Sequence, residues 1–298
     1  MLGTTLDAAP EPGTLSAAEI AAVTWRSIDL RLGADDKRSF RALVEKHPPD
    51  VIFHLAGVAF VPGAADDPGS ALATNVGALV RILKSLRGPR AAGVADPVVL
   101  VVGSGEQYGH HAADAQPLVE TAECRPHGFY AATKVAQEAI GLAAFRAEGA
   151  KVIATRSFNH AGPGQAPHFL LPSLVTRAIA ARRSSGDVPI GNTHVTRDLL
   201  HVEDVVAAYI SLAARGAPGE VYNVCSGEGV QIGALASEVL AQAGVTAPLR
   251  VDPALQRAVD VPTLVGSNAK LRSATGWAPR RTRADIISDL LASLDAAS

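Results

Sequence analysis

Pro97-Val98-Val99-Leu100-Val101-Val102-Gly103-Ser104-Gly105-Glu106-Gln107-Tyr108-Gly109 decides how this chain folds. The aliphatic run from Val98 to Val102 leaves no polar face, so it reads as a strand buried on both sides, as in a parallel sheet covered by helices. The run stops at glycine, and the hydroxyl of Ser104 and the carboxylate of Glu106 follow at once. The carboxyl end of a parallel sheet presents such side chains to a crevice, whereas the plain alternative is a polar strand-to-loop turn. Gly103, Gly105 and Gly109 imitate the dinucleotide-binding glycine fingerprint. Their spacing is GxGxxxG and no helix opens immediately, so that reading is rejected.

Outward from this stretch, strands and helices alternate. Upstream, Asp50-Val51-Ile52-Phe53-His54-Leu55-Ala56-Gly57 reads as a buried strand ending in a turn. Ser70 to Leu86 follows with Leu72, Val76, Leu79, Val80 and Leu83 at helical spacing. Downstream, Tyr130 to Phe145 reads as a helix and Val152-Ile153-Ala154-Thr155 as the next strand. The alternation predicts an α/β fold, a Rossmann-like doubly wound parallel sheet. After Gly162-Pro163-Gly164 the pattern turns to short mixed elements such as Val221-Tyr222-Asn223-Val224. The expected division is a sheet domain over residues 1–160, rejoined by about 196–226, and a smaller C-terminal substrate domain over 161–298.

Composition narrows the functional class. The 298 residues are 48% hydrophobic and 19% charged, and 27 Lys and Arg against 29 Asp and Glu give a formal charge of -2. No run of like charge points to nucleic acid or a membrane surface, so a small-molecule partner is expected. Cys124 and Cys225 have neither CxxC spacing nor a cluster of nearby histidines, so no disulfide framework and no zinc site are expected. A reducing cytoplasm fits, and no apolar run approaches the roughly 18 residues of a membrane span. A soluble cytoplasmic protein is expected.

Tyr130-Ala131-Ala132-Thr133-Lys134 carries the first chemical pattern. A tyrosine and a lysine four residues apart share one helix face. Free tyrosine has a pKa of about 10, and an adjacent ammonium would favour the phenolate, letting the phenol exchange a proton near neutrality. The same pair is common on ordinary helix surfaces, so its meaning depends on Ser104 and Glu106 at the end of the preceding strand.

Together these residues carry a family resemblance. Asp29-Leu30, His54-Leu55-Ala56-Gly57, Asn75-Val76, Ser104 to Gly109, Tyr130 with Lys134, and Arg156-Ser157-Phe158-Asn159 occur in an order similar to the extended short-chain dehydrogenases, the NAD-dependent epimerase/dehydratase family. Phe158 to Gln165, Arg197-Asp198-Leu199, Val221 to Gly227 and Val261 to Ser267 resemble the GDP-4-keto-6-deoxy-D-mannose reductases and GDP-mannose 4,6-dehydratases. The resemblance runs from about residue 22 to 295. It implies an enzyme acting on a GDP-linked sugar with NADP or NAD, and a homodimer. Tyr130, Lys134, Ser104 and Glu106 would be catalytic. Asp29, Leu30, Leu55, Ala56, Gly57, Asn75 and Phe158, with Tyr130 and Lys134, would hold the cofactor. Asn159, Arg197, Arg257 and Asp260 would face the substrate, and a guanidinium suits a diphosphate through paired hydrogen bonds. Arg177, Arg182 and Arg183 read instead as a solvated helix face. Asp7 is the candidate for choosing between cofactors, since an acidic group there favours a free ribose hydroxyl.

The sequence also departs from that pattern. A protein of this fold opens with a strand, a GxxGxxG loop and a helix, whereas Met1-Leu2-Gly3-Thr4-Thr5-Leu6-Asp7 reads as the second strand of the unit. The first strand and helix are therefore expected to be missing, about 30 residues by the usual length of such a module, through a late start assignment or a truncated gene. Phe129 stands where the family usually has proline. Three functions follow: a reductase, a 4,6-dehydratase using Glu106 as an additional acid-base group, and a nucleotide-sugar-binding protein without catalysis.

Overall fold

A computed structural model describes residues 1–5, 16–31, 40–58, 65–182, 186–256 and 261–295. The chain divides into two compact units: residues 1–107, 128–155 and 212–221 form the first, and 108–127, 156–211 and 222–298 the second.

In the first unit, β1 (Leu2–Thr5) and β2 (Thr24–Ser27) pair in parallel with Leu2 opposite Thr24. Helix α1 (Ala17–Ala21) lies between them in sequence and starts with a capping box: Ser16 accepts from Glu19 N, and Glu19 accepts from Ser16 N. Helix α2 (Phe40–Lys46) leads to β3 (Val51–His54). Beyond β3 come α3 (Pro68–Ala91), β4 (Val98–Ser104), α4 (Phe129–Glu148) and β5 (Val152–Ser157). The sheet runs β3-β4-β5-β9, where β9 is Val221–Val224. β3 and β4 are parallel, Val51 opposite Val98. β4 meets the start of β5 through Val99 N donating to Lys151 O (2.8 Å), and Ala154 N of β5 donates to Glu220 O (3.0 Å).

β4 is buried as its sequence predicts, with Val99, Leu100 and Val101 at most 1% exposed. Val99 and Val101 share a core with Leu79, Ile82, Leu86 and Val152. Helix α3 extends past the predicted Ser70–Leu86. Asp67 caps it by accepting from Ser70 N, and Pro68 sits in the first turn, where its missing N–H costs nothing. Among the described residues no strand pairing joins β1–β2 to the four-stranded sheet. The strand β3 is half-buried, with Phe53 40% exposed.

The second unit is built on β8 (Thr196–His201). It pairs parallel with β6 (Asn159–Ala161) and β12 (Thr263–Leu264), and antiparallel with β10 (Gly229–Gln231). β7 (Val188–Ile190) and β11 (Leu249–Val251) make a separate parallel pair. Helix α6 (Val202–Arg215) continues directly from β8, and α8 (Ala269–Thr275) follows β12. Helices α5 (Leu170–Ala181), α7 (Ile232–Gln242) and α9 (Arg283–Asp295) bury Leu174, Val175, Leu235, Val239 and Ile287 in one core. The expected solvated arginine face is corrected at Arg177, whereas Arg182 is exposed as expected. Arg177 is partly buried and donates to Ser173 O (3.1 Å) and to the Pro189 carbonyl, tying α5 to β7. Arg182 donates to Ala243 O (2.7 Å) and pairs with Asp295. Neighbouring carbonyls needed donors, and these guanidiniums supply them. Arg183 lies outside the described residues.

Gly109 shows why the Ser104–Gly109 stretch needs its last glycine. Its φ is +62°, and a Cβ would lie 1.7 Å from Arg125 O. Gly109→Ala is expected to cost about 2 kcal/mol or more, combining left-handed strain with that clash. The urea midpoint measures it, and an unchanged midpoint would remove this explanation.

Candidate active site

β4 delivers Ser104 to its carboxyl end, and a 3-10 turn, Gly105–Tyr108, carries Glu106 and Gln107 directly after it. Ser104 Oγ accepts from Glu106 N (3.2 Å), which leaves its own O–H to donate. Ser104 stands beside the phenol of Tyr130, in the first turn of α4. Burial pushes the Tyr130 pKa above its ordinary value; the polar Ser104 hydroxyl pulls it down and the Glu106 charge pushes it further up. One turn along α4, Lys134 is 6% exposed and donates to Val102 O (2.8 Å) and Gln137 Oε1 (3.1 Å). Burial lowers its pKa to about 8.

This corrects the expectation of a phenol lowered by its lysine. The two side chains do share one helix face, but the Lys134 ammonium is directed to a carbonyl and an amide oxygen. Desolvation then dominates at Tyr130.

The loop after β3 supplies the adjoining surface. Leu55 is 63% exposed, and Ala56 and Gly57 are also exposed. Asn75, fully buried on α3, holds this loop: its Oδ1 accepts from Val58 N (2.7 Å) and its Nδ2 donates to Thr133 Oγ1 (2.9 Å). A Cβ at Gly57 would stand 2.7 Å from Asn75 Oδ1 and 3.6 Å from Lys134 Nζ. Glycine thus keeps the backbone close to the ammonium. His54 is 2% exposed, its Nε2 has no partner among the described residues, and burial followed by the Lys134 charge lowers its pKa to about 4. An open glycine-bearing loop at a strand's carboxyl end, with an ammonium beside it, fits a nicotinamide dinucleotide.

The remaining predicted residues are distributed differently. In the first unit, Asp29 is held by Arg31 (2.7 Å), which lowers its pKa, and Leu30 packs against the core. In the second unit, Phe158 is 3% exposed and packs with Tyr108, Leu118 and Cys225. Asn159 opens β6, and Arg197 is 6% exposed, donating to Thr196 O (2.9 Å) and Val261 O (2.7 Å). Asp7, Arg257 and Asp260 lie outside the described residues. Phe129 is 58% exposed at the start of α4.

The other tyrosines have structural partners. Tyr108 is fully buried, donates to Asn223 Oδ1 (2.7 Å), and has its pKa pushed up to about 12 by burial. Tyr209 bonds Ser157 Oγ (2.7 Å), and Tyr222 lies under Lys270 (4.9 Å). Tyr130 therefore differs from them in its neighbours, Ser104 and Glu106.

Sequence reasoning passed over Gln107, Glu138 and Gln137. Gln107 is fully buried and accepts from Ser104 N (2.8 Å), while its Nε2 donates to Glu138 Oε2 (2.8 Å). The spacing carried a signal for one of them, since Tyr130, Lys134 and Glu138 recur every four residues along α4.

A family model described as GDP-mannose 4,6 dehydratase matches residues 18–290. GDP-6-deoxy-D-mannose reductase of Pseudomonas aeruginosa is 35% identical over 236 residues, covering 78% of this chain and 76% of that protein. The chain belongs to the NAD-dependent epimerase/dehydratase family. Within this family it is a nucleotide-sugar-modifying enzyme. The solved structure of RMD from Pseudomonas aeruginosa, complexed with NADPH, superposes with a TM-score of 0.79 at 31% identity, covering 92% of this chain and 91% of that one. The dTDP-glucose 4,6-dehydratase of Bacillus anthracis, in complex with NAD, shares the fold of this family at TM-score 0.77 and 20% identity, covering 92% of this chain and 80% of that one. Among the described residues no helix is long and apolar enough to cross a membrane, and no cluster of ligating side chains could hold a metal ion.

Proposed function

We propose that the chain reduces the C4 ketone of a GDP-linked 4-keto-6-deoxy-hexose with NADPH or NADH, giving a GDP-D-rhamnose-type product. The observation that carries this reading is the docking of α4 on the end of β4: Lys134 Nζ donates to Val102 O (2.8 Å), Tyr130 lies one turn before Lys134, and Ser104 ends the strand two residues after Val102. The likeness to the Pseudomonas aeruginosa reductase supports the same assignment.

In this reading a nicotinamide bound beside Lys134 supplies hydride to C4. Tyr130 gives its phenolic proton to the C4 oxygen as negative charge develops there. The phenol is protonated at neutral pH, as a proton donor must be. Ser104 donates its O–H to the same oxygen, because its lone pair already accepts from Glu106 N. Lys134 hydrogen-bonds the nicotinamide ribose. Asp29 and Leu30 meet the adenine side, and Leu55, Ala56 and Gly57 line the ribose and phosphates. Asn75 holds that loop from behind, and Phe158 is assigned to the cofactor by the family resemblance alone. Asn159, Arg197, Arg257 and Asp260 receive the GDP moiety.

One observation favours a second reading. The carboxylate of Glu106 is close enough to shift Tyr130, and a 4,6-dehydratase needs such a group to remove the C5 proton. Glu106→Gln separates the two. A reductase is expected to retain at least about a third of its turnover, whereas a dehydratase would lose roughly 10²-fold or more with its acid-base group. Parallel assays with GDP-4-keto-6-deoxy-mannose and GDP-mannose read the outcome. A dead reductase would overturn the role given to Glu106.

A further inference from the structure

Gln107 joins two parts of the candidate site that are far apart in sequence. Its Oε1 accepts from Ser104 N and its Nε2 donates to Glu138 Oε2, each at 2.8 Å. Glu138 lies on α4 one turn beyond Lys134 and two beyond Tyr130. The amide therefore links the backbone of Ser104 to the helix face bearing the phenol and the ammonium. It is fully buried, and Glu138 is 9% exposed, so bulk water competes little for these bonds. Gly103 makes room for it, since a Cβ there would stand 2.4 Å from Gln107 Oε1.

The polarity of this link is specific. One end must accept from a backbone N–H and the other must donate to a carboxylate, which only an amide of this length does. We infer that Gln107 and Glu138 form a positioning clamp that sets the Ser104 hydroxyl against the Tyr130 phenol, so that both donors converge on one substrate oxygen. This rests on the reductase reading for its substrate, but the clamp itself can be tested without it.

The experiment uses the full chain in four forms: wild type, Gln107→Leu, Gln107→Glu, and the exchanged pair Gln107→Glu with Glu138→Gln. In Gln107→Glu alone, two carboxylates face each other. In the exchanged pair the carboxylate now at position 107 still accepts from Ser104 N, and the amide now at position 138 donates to it. Turnover and KM are measured with GDP-4-keto-6-deoxy-mannose and NADPH, and amide hydrogen exchange is followed over residues 103–108 and 129–148. Displacing an aligned donor by about 1 Å can cost roughly 10²-fold, so Gln107→Leu is expected to lower kcat by roughly 10- to 100-fold at nearly unchanged KM. Exchange should quicken over 103–108 and stay constant over 129–148. The exchanged pair should recover most of the turnover and protection that Gln107→Glu loses.

Full turnover in Gln107→Leu, or an exchanged pair no better than Gln107→Glu, would overturn the clamp. If Gln107→Leu does not fold, the comparison of Gln107→Glu with the exchanged pair decides alone. If wild type leaves the keto sugar unreduced while the exchange pattern follows these expectations, the reductase reading fails and the clamp stands.

Discussion

Tyr130→Phe is expected to lower kcat by roughly 10³-fold while KM for the nucleotide sugar changes about twofold or less. The substitution removes one oxygen and keeps the ring, so packing at the start of α4 survives. What disappears is the proton donor beside Ser104. A proton transferred only in the transition state appears in kcat rather than in binding, and that split distinguishes Tyr130 from a residue that merely contacts substrate. The pH profile follows from Lys134. Its pKa is lowered by burial to about 8, against 10.5 unperturbed, so the ammonium is present below that pH and is lost as pH rises through it. Turnover that depends on this charge should therefore decline above about pH 8. A flat profile through pH 9 would contradict the role of the ammonium.

The largest stability effect is expected from Asp198→Ala. Asp198 is fully buried in β8 and accepts from Ser226 N (2.8 Å), Ser226 Oγ (2.7 Å), Gly227 N (3.0 Å) and Gly266 N (3.4 Å). It therefore fastens the turn after β9 and the segment after β12 onto one strand. Alanine would leave several buried donors without an acceptor, and at about 1–3 kcal/mol each for the stronger ones the loss is expected to be about 4 kcal/mol. Asp198→Asn keeps one acceptor oxygen and should lose about half as much. Urea denaturation reads both. An alanine variant within about 1 kcal/mol of wild type would show that water or local rearrangement replaces the carboxylate.

The strand from Val98 to Val102 and the helix carrying Tyr130 were legible because their signals are local: an uninterrupted aliphatic run, and apolar residues at helical spacing. Ser104 and Tyr130 could be brought together on paper because a parallel sheet sends its strand ends to one edge. The direction of the Tyr130 pKa was not legible. It depends on how deeply the phenol is buried and where the Lys134 ammonium points, and neither follows from a four-residue spacing. Gln107 was invisible for a related reason, since its two partners are three and thirty-one residues away. Arg177 read as solvated because its helix face is polar, and the Pro189 carbonyl that it serves belongs to a strand beyond that helix. Asp198 was seen only as the middle of Arg197-Asp198-Leu199, and its acceptor role emerges from loops brought together by β8.

The central claim is reduction at C4, and the most direct measurement mixes the purified chain with GDP-4-keto-6-deoxy-mannose and NADPH or NADH while following reduced-cofactor absorbance. Stoichiometric loss of reduced cofactor, with a product two hydrogens heavier by mass, is the predicted result. No loss with either cofactor, together with water elimination from GDP-mannose, would contradict the reductase reading and establish the dehydratase in its place.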